Sequence, residues 1–323
     1  MSVRRILKWA GLGLGAVVAL LAACFALALI WLRSGDPVAD SRKSVPPYVL
    51  VEGETAIIEK EGKRRLYRDL RLEAPNRPPV RFTLSVPEDA GNRRMPVLVI
   101  VGGLKSGREN LERLPPLGPN ALISFEYPYR DVVRNKKNGP LTRLGGVRQS
   151  AAATPEQIAA VLRWSGGERW ADGQRVALLG YSLGAVLAPA VIAKADANAI
   201  MHGVTILAFG GADIGPMVPR VLKLNSAVLA WPLAKLAGAF FHPIEPAHFL
   251  AGMTGEKLVI NAEQDELIPK NSQRLMTEGV PEPKWIVSMP GDHIDPRDPK
   301  VLAAVVDVTK RWLVERGAVD LPD

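Results

Sequence analysis

Arg175-Val176-Ala177-Leu178-Leu179-Gly180-Tyr181-Ser182-Leu183-Gly184 changes character twice in a short span. An apolar run ends at a glycine, a serine follows between two glycines, and a segment rich in Ala, Val and Leu continues to about Ala193. The run reads as a strand buried on both faces and the segment as a helix. A serine on the bend between them is pressed into a strained backbone, with its hydroxyl raised beyond the carboxyl end of the strand; the flanking glycines relieve the crowding. The Leu183 N–H then lies at the N-terminus of the helix, where unpaired donors and the helix dipole stabilise developing negative charge.

On either side of this stretch, apolar runs recur at Val97 to Val101, Ala121 to Phe125, Val204 to Phe209, Lys257 to Asn261 and Trp285 to Ser288. Helical patterns lie between and after them, notably Thr154 to Trp164, with Thr154 as N-cap and Pro155 in the first turn, and Pro299 to Arg316. This alternation specifies an α/β fold with a mostly parallel, doubly wound sheet. Before it, Thr55 to Glu59 and Val80 to Val86 read as strands of an antiparallel entry, separated by turn signals at Glu61-Gly62 and Pro75-Asn76. One stretch, about 213–253, breaks the alternation: it is apolar and rich in Pro, Leu, Ala and Trp. It reads as a helical insert positioned to roof a site at the carboxyl ends of the strands, or else as a helix packed into the core.

A serine hydroxyl is a weak nucleophile until a base takes its proton. The chain has four histidines, His202, His242, His248 and His293. His293 follows the strand Trp285 to Ser288 and so falls on a loop at the same sheet edge as Ser182. His202 precedes a strand and belongs at the opposite edge, while His242 and His248 fall in the insert. A carboxylate is then needed to hold the imidazole tautomer and stabilise the imidazolium. Asp265 follows the strand Lys257 to Asn261 and is the candidate, with Glu263 and Glu266 as rivals; Asp292 adjoins the histidine and is poorly placed to reach back to it. The order Ser182, Asp265, His293 is the one imposed by strand-turn-helix serine enzymes. A second oxyanion donor is expected on the loop after Val97 to Val101, at the Leu104 N–H behind Gly102-Gly103.

From about Pro96 to Arg316 the chain resembles the α/β-hydrolase superfamily, and is most similar to its dienelactone-hydrolase-like and prolyl-oligopeptidase-like members. Besides Gly180 to Gly184, the resemblance rests on Trp164 and Asp172-Gly173 leading into the strand, and on Asp265-Glu266-Leu267-Ile268-Pro269, similar to the acid loop of those groups. Gly102-Gly103 stands where many members have His-Gly. The resemblance implies hydrolysis of an ester, thioester, lactone or peptide, or acyl transfer, without a cofactor. The expected function is a serine hydrolase cleaving an acyl ester or thioester through an acyl-enzyme on a small-molecule or lipid-like acyl substrate. A peptidase or acyltransferase on the same triad is the alternative, as is a catalytically silent hydrolase-fold module that binds a partner.

At the N-terminus no charged residue occurs from Trp9 to Leu32, long enough to cross a bilayer core of about 30 Å as a helix. Residues 1–33 therefore read as a membrane anchor, 34–47 as a linker and 48–323 as the hydrolase domain. Arg4, Arg5 and Lys8 precede the span and predict a cytoplasmic N-terminus with an exported catalytic domain. A cleaved signal segment is the second reading, and Leu21-Ala22-Ala23-Cys24, which resembles a lipoprotein lipobox, supplies a third. Those three basic residues and Arg33 belong to a net charge of +8; the rest of the chain is nearly balanced and its basic residues are interspersed with acids, which gives nucleic-acid binding no support. Cys24 is the only cysteine, so the chain forms no internal disulfide and no cysteine metal cluster. Nucleotide-loop and zinc motifs are absent, and neither metal nor cofactor is expected.

Overall fold

Period-two burial on both faces explains why the central strands are continuous apolar runs. In β4 (Met95–Val101), Val97, Val99 and Val101 belong to one core and Leu98 and Ile100 to the other, and all five are at most 2% exposed. The protein is described here by a computed structural model, which covers residues 3–60, 63–103, 107–114, 117–135, 138–295 and 297–321. The chain begins with α1 (Val3–Leu32) and α2 (Pro37–Ser41), then β1 (Val49–Lys60), β2 (Lys63–Glu73), β3 (Val80–Pro87) and β4. It continues through α3 (Arg108–Arg113), β5 (Ala121–Glu126), α4 (Tyr129–Arg134), α5 (Pro140–Gly167), β6 (Ala171–Tyr181), α6 (Leu183–Ala197) and β7 (Val204–Ala208). After β7 come α7 (Met217–Val221), α8 (Ala227–Phe240) and short 3-10 turns between His242 and Gly252. The chain ends with β8 (Glu256–Ala262), α9 (Lys270–Gly279), β9 (Lys284–Met289) and α10 (Pro299–Glu315).

Among the described residues nine strands form one sheet in the order β1-β2-β3-β5-β4-β6-β7-β8-β9. The entry strands β1, β2, β3 and β5 pair antiparallel, and every pairing from β5 through β4 to β9 is parallel. The carboxyl ends of β4, β6, β7, β8 and β9 therefore share one edge, and the loops leaving them converge there. One core, under α5, α6 and α9, joins Ile158, Val161, Val191 and Met276. The other, under α3 and α10, joins Leu111, Leu114, Leu302 and Val305.

Several details differ from the sequence expectation. The entry holds an additional strand, β2, because Leu66, Leu70 and Leu72 alternate with charged residues between the two turn signals. The helix expected to begin at Thr154 begins at Pro140 and carries Pro155 in its interior. Interrupting a helix with proline costs about 3 kcal/mol, but burial of Ile158, Val161 and Leu162 returns roughly 1.5–3 kcal/mol each, and the Thr154 hydroxyl bonds back to the Ser150 carbonyl at 2.8 Å. β9 is the sheet edge, so Ile286, though part of an apolar run, is exposed.

Residues 34–47 hold a fixed course on the domain rather than that of a free spacer. Val45 is buried, its N–H donates to Asn198 Oδ1 at 2.7 Å, and its carbonyl accepts from Arg163 at 2.9 Å. Lys194, at the end of α6, donates to the Asp40 and Lys43 carbonyls at 2.9 and 3.1 Å. α1 is an apolar helix near the N-terminus, long enough by length and composition to cross a membrane, a property it shares with signal sequences.

Candidate active site

Ser182 sits on the bend between β6 and α6 with φ +55°, a left-handed conformation rare for a residue other than glycine. The two glycines of the pentapeptide are needed for different reasons. A Cβ on Gly184 would lie 1.8 Å from the Val101 carbonyl oxygen on β4, and one on Gly180 would lie 2.6 Å from the Gly184 carbonyl oxygen. The bend is thus wedged against the neighbouring strand, and the Ser182 N–H is tied to the Ala208 carbonyl of β7 at 2.8 Å.

His293, on the loop after β9, faces the serine: its Nε2 is 2.8 Å from Ser182 Oγ. Its Nδ1 is 2.9 Å from Asp265 Oδ2. The other Asp265 oxygen accepts the Leu267 and Ile268 N–H groups at 2.9 and 2.8 Å, so the side chain, fully buried, is held at both ends. An ionised carboxylate only accepts, so Nδ1 carries the proton of the neutral ring and Nε2 accepts from the serine hydroxyl. Phe209, at the end of β7, meets the imidazole edge-to-face at 5.9 Å and covers it.

Two loops must stay in register for this contact. The Gln264 N–H donates to the Gly291 carbonyl at 2.9 Å, and Gln264 Oε1 accepts the Gly291 N–H at 2.7 Å. Asp292 accepts the N–H groups of Glu266 and His293 at 2.7 and 2.6 Å. Asp292 therefore does not hold the imidazole; it staples the histidine loop to the acid loop, a role spacing alone gave no sign of. Glu263 and Glu266 are exposed and do not compete for the ring.

The Leu183 N–H begins α6, among the first donors of that helix, which find no acceptor inside it. Leu104 lies outside the described residues. Gly103 lies against the serine: a methyl on it would stand 3.6 Å from Ser182 Cβ and 3.7 Å from its Oγ, in the space a carbonyl needs to approach. Tyr127, which sequence reasoning passed over, donates its hydroxyl to the Gly102 carbonyl at 2.6 Å. Burial pushes the Tyr127 hydroxyl well above its ordinary pKa, so it stays a donor. Its carbonyl tied back, the Gly102–Gly103 peptide has a fixed plane beside Ser182.

A cavity of about 310 Å³ opens onto Ser182 and His293. Its apolar wall comes from Ile100, Leu114, Leu267, Leu302 and Val306. Arg113 and Arg297 reach it with their charge already engaged, by Glu109 at 3.7 Å and Asp295 at 2.8 Å. No residue of the 213–253 insert lines the cavity. The insert packs on the other core, through Ile214, Met217, Ile244, Leu250 and Met253, so of its two readings the described residues fit packing on the core and not a roof over this cavity.

The other histidines lie apart. His202 bonds to Asp196 at 2.7 Å near the opposite sheet edge, and His242 and His248 touch one another at 3.0 Å in the insert. Burial holds both insert histidines below their ordinary pKa. Among the described residues no cluster of three or more potential metal ligands occurs.

No protein-family model matches the chain, and no curated protein matches it. Solved structures do. The chain is similar to acetyl xylan esterase 1 from Thermoanaerobacterium sp., at 14% identity, covering 88% of this chain and 92% of that one with a TM-score of 0.52. It is also similar to an acetyl xylan esterase from Paenibacillus sp. R4, at 13% identity over 84% and 92% of the two chains, TM-score 0.53. A puromycin-hydrolyzing peptidase from Mycobacterium tuberculosis is matched at 15% identity and TM-score 0.54, over 77% of this chain but only 38% of that one. The likeness covers most of this chain and is one of fold.

Proposed function

We propose that this chain, which has the α/β-hydrolase fold, is a serine hydrolase that cleaves an acyl ester or thioester. The observation that carries the reading is the pair of contacts at His293, 2.8 Å to Ser182 Oγ and 2.9 Å to Asp265 Oδ2, made by side chains from three separate loops. His293 Nε2 takes the hydroxyl proton as Oγ attacks the acyl carbon, and Asp265 stabilises the imidazolium. The oxyanion forms beside the Leu183 N–H, with the segment after β4 as the other wall of the hole. The imidazolium then gives its proton to the departing alcohol or thiol. In the second half, water loses a proton to His293, attacks the acyl-enzyme and releases the acid, restoring the serine. None of these steps draws on a metal or cofactor.

The apolar cavity wall favours an acyl chain over a polar one. Anchoring through α1 would tether the exported domain to a membrane. The match to a peptidase keeps amide substrates in the comparison, and rates on short acyl esters, long acyl esters and peptide amides rank the three. The decisive test is a fluorophosphonate probe. Wild type is expected to label covalently and Ser182→Ala to remain unlabelled; equal labelling of both ends the assignment.

A further inference from the structure

The helix α8 leaves an apolar stripe uncovered: Val228, Leu229 and Trp231 are 82%, 58% and 64% exposed. Its other end is covered, with Ala237 and Ala239 buried. Beside it runs α1, whose partly covered residues Phe25, Ala28, Leu29 and Leu32 fall at the spacing of a single helical face, and the two helices are in contact. One guanidinium joins their carboxyl ends. Arg148 on α5 donates to the Leu32 carbonyl of α1 at 2.5 Å, to the Ala239 carbonyl of α8 at 3.2 Å, and to the Phe240 carbonyl.

Charge along this stretch of the chain has one sign. From Ile214 to Ile244 the sequence contains no Asp or Glu, and Arg220, Lys223 and Lys235 are its lysines and arginines. Lys223 and Lys235 are exposed and bracket the apolar stripe. Exposed apolar side chains that include a tryptophan, with one lysine before the helix and one within it, suit the boundary between headgroups and acyl chains of an anionic bilayer. A protein partner burying the same stripe would be expected to answer the lysines with acids, but the stripe is continuous with α1, whose own exposed side chains belong to lipid if α1 spans the membrane.

We infer that α8 is a second membrane contact, docked in the surface of the bilayer that α1 crosses, and that Arg148 couples the two. The insert is then a foot for the catalytic domain rather than a roof over its cavity. Because residues 34–47 are pinned to the domain and α8 rests on lipid, the domain is held in one attitude on the membrane instead of swinging on a tether. This inference rests on the reading of α1 as membrane-embedded, and the test separates the two.

The experiment uses the full chain in vesicles of phosphatidylcholine and phosphatidylglycerol, with an environment-sensitive fluorophore on a single cysteine and nitroxide-labelled acyl chains as quencher. The label is attached in turn to the native Cys24, to Leu229→Cys in a Cys24→Ser background, and to Arg311→Cys in the same background as an exposed site on α10. Leu229→Cys is expected to lose most of its fluorescence to the nitroxide and to emit further to the blue, like the Cys24 label, while Arg311→Cys stays bright. If Leu229→Cys behaves like Arg311→Cys while Cys24 is quenched, α1 spans and the docking of α8 is overturned. If all three stay bright, the anchor itself is wrong and the inference falls with it. Residue 229 is exposed and remote from the cavity, so ester hydrolysis by the labelled protein verifies that it is folded.

Discussion

The two faces of the sheet differ in what covers them. Under α3 and α10 the cover is incomplete and leaves a cavity that reaches the Ser182 hydroxyl. Under α5, α6 and α9 it is closed toward that hydroxyl, and the insert adds a further layer that carries apolar side chains outward. The strands themselves cannot account for the difference, since β4 and β6 are buried on both sides. The asymmetry comes from the connections: Ser182, Asp265 and His293 hang from strand ends, where either face can reach them, and only one face leaves room beside them. The cavity and the exposed apolar side chains of the insert thus lie on different faces.

If the cavity face alone carries chemistry, the largest effect belongs to His293→Ala, a loss of kcat of about 10⁴-fold or more. Because the residues act as a unit, the double variant with Ser182→Ala should be scarcely worse than either single one. Losses that multiply would mean that the two side chains act separately. Next in size is Leu302→Trp, which fills the cavity from α10. It should lower kcat/KM for long acyl esters relative to short ones by about 10 to 100-fold, measured with esters of increasing chain length. An equal loss for all lengths would place the acyl chain elsewhere.

A smaller effect is expected at Tyr127, which belongs to the closed face but touches the site through the Gly102 carbonyl. Tyr127→Phe removes that hydrogen bond and frees the peptide beside Ser182. The expected loss is on the order of tenfold in kcat with KM little changed, less than removal of an oxyanion donor outright. A change confined to KM would assign Tyr127 to substrate binding instead. Tyr127 thus marks where the division between the two faces is imperfect.

Much of the cavity face was legible before any coordinates. Strand-ending loops fix which residues reach a common edge, and on that ground the sequence points to Ser182, Asp265 and His293; His293 stands within hydrogen-bond distance of each of the other two. What sequence could not give was the support behind them. The Asp292 and Gln264 side chains accept from backbone N–H groups, partners that leave no trace in residue type, and Tyr127 meets Gly102 across neighbouring strands. The face chosen by the insert was illegible for a different reason. α8 is apolar nearly all round, so its periodicity names no inner side, and a chain leaving β7 can turn either way. Likewise Pro155 is a sound start signal locally, overridden by burial that only the assembled sheet supplies.

The smallest expected effect lies at the base of the insert and tests whether the closed face is independent of the chemistry. Glu245 closes that base by accepting the N–H groups of Asp213 and Ile214 at its start and of Ala247 at its end, at 2.7, 2.8 and 3.3 Å. Burial raises its pKa above the ordinary carboxylate range, and these N–H bonds only partly oppose the shift. A carboxyl whose folded pKa exceeds its unfolded one binds more protons folded than unfolded between the two values, so its contribution to stability is present at low pH and declines as pH rises through that window. The Tm of wild type minus that of Glu245→Gln should therefore be greatest at the acid end of the ordinary carboxylate range and shrink as pH rises above it, by about a few degrees at most. A difference that grows with pH would mean that the carboxylate is the form that closes the insert. Hydrolysis at neutral pH should hardly change, because the cavity is walled by the opposite face; a matching loss of activity would show that the two faces are coupled after all.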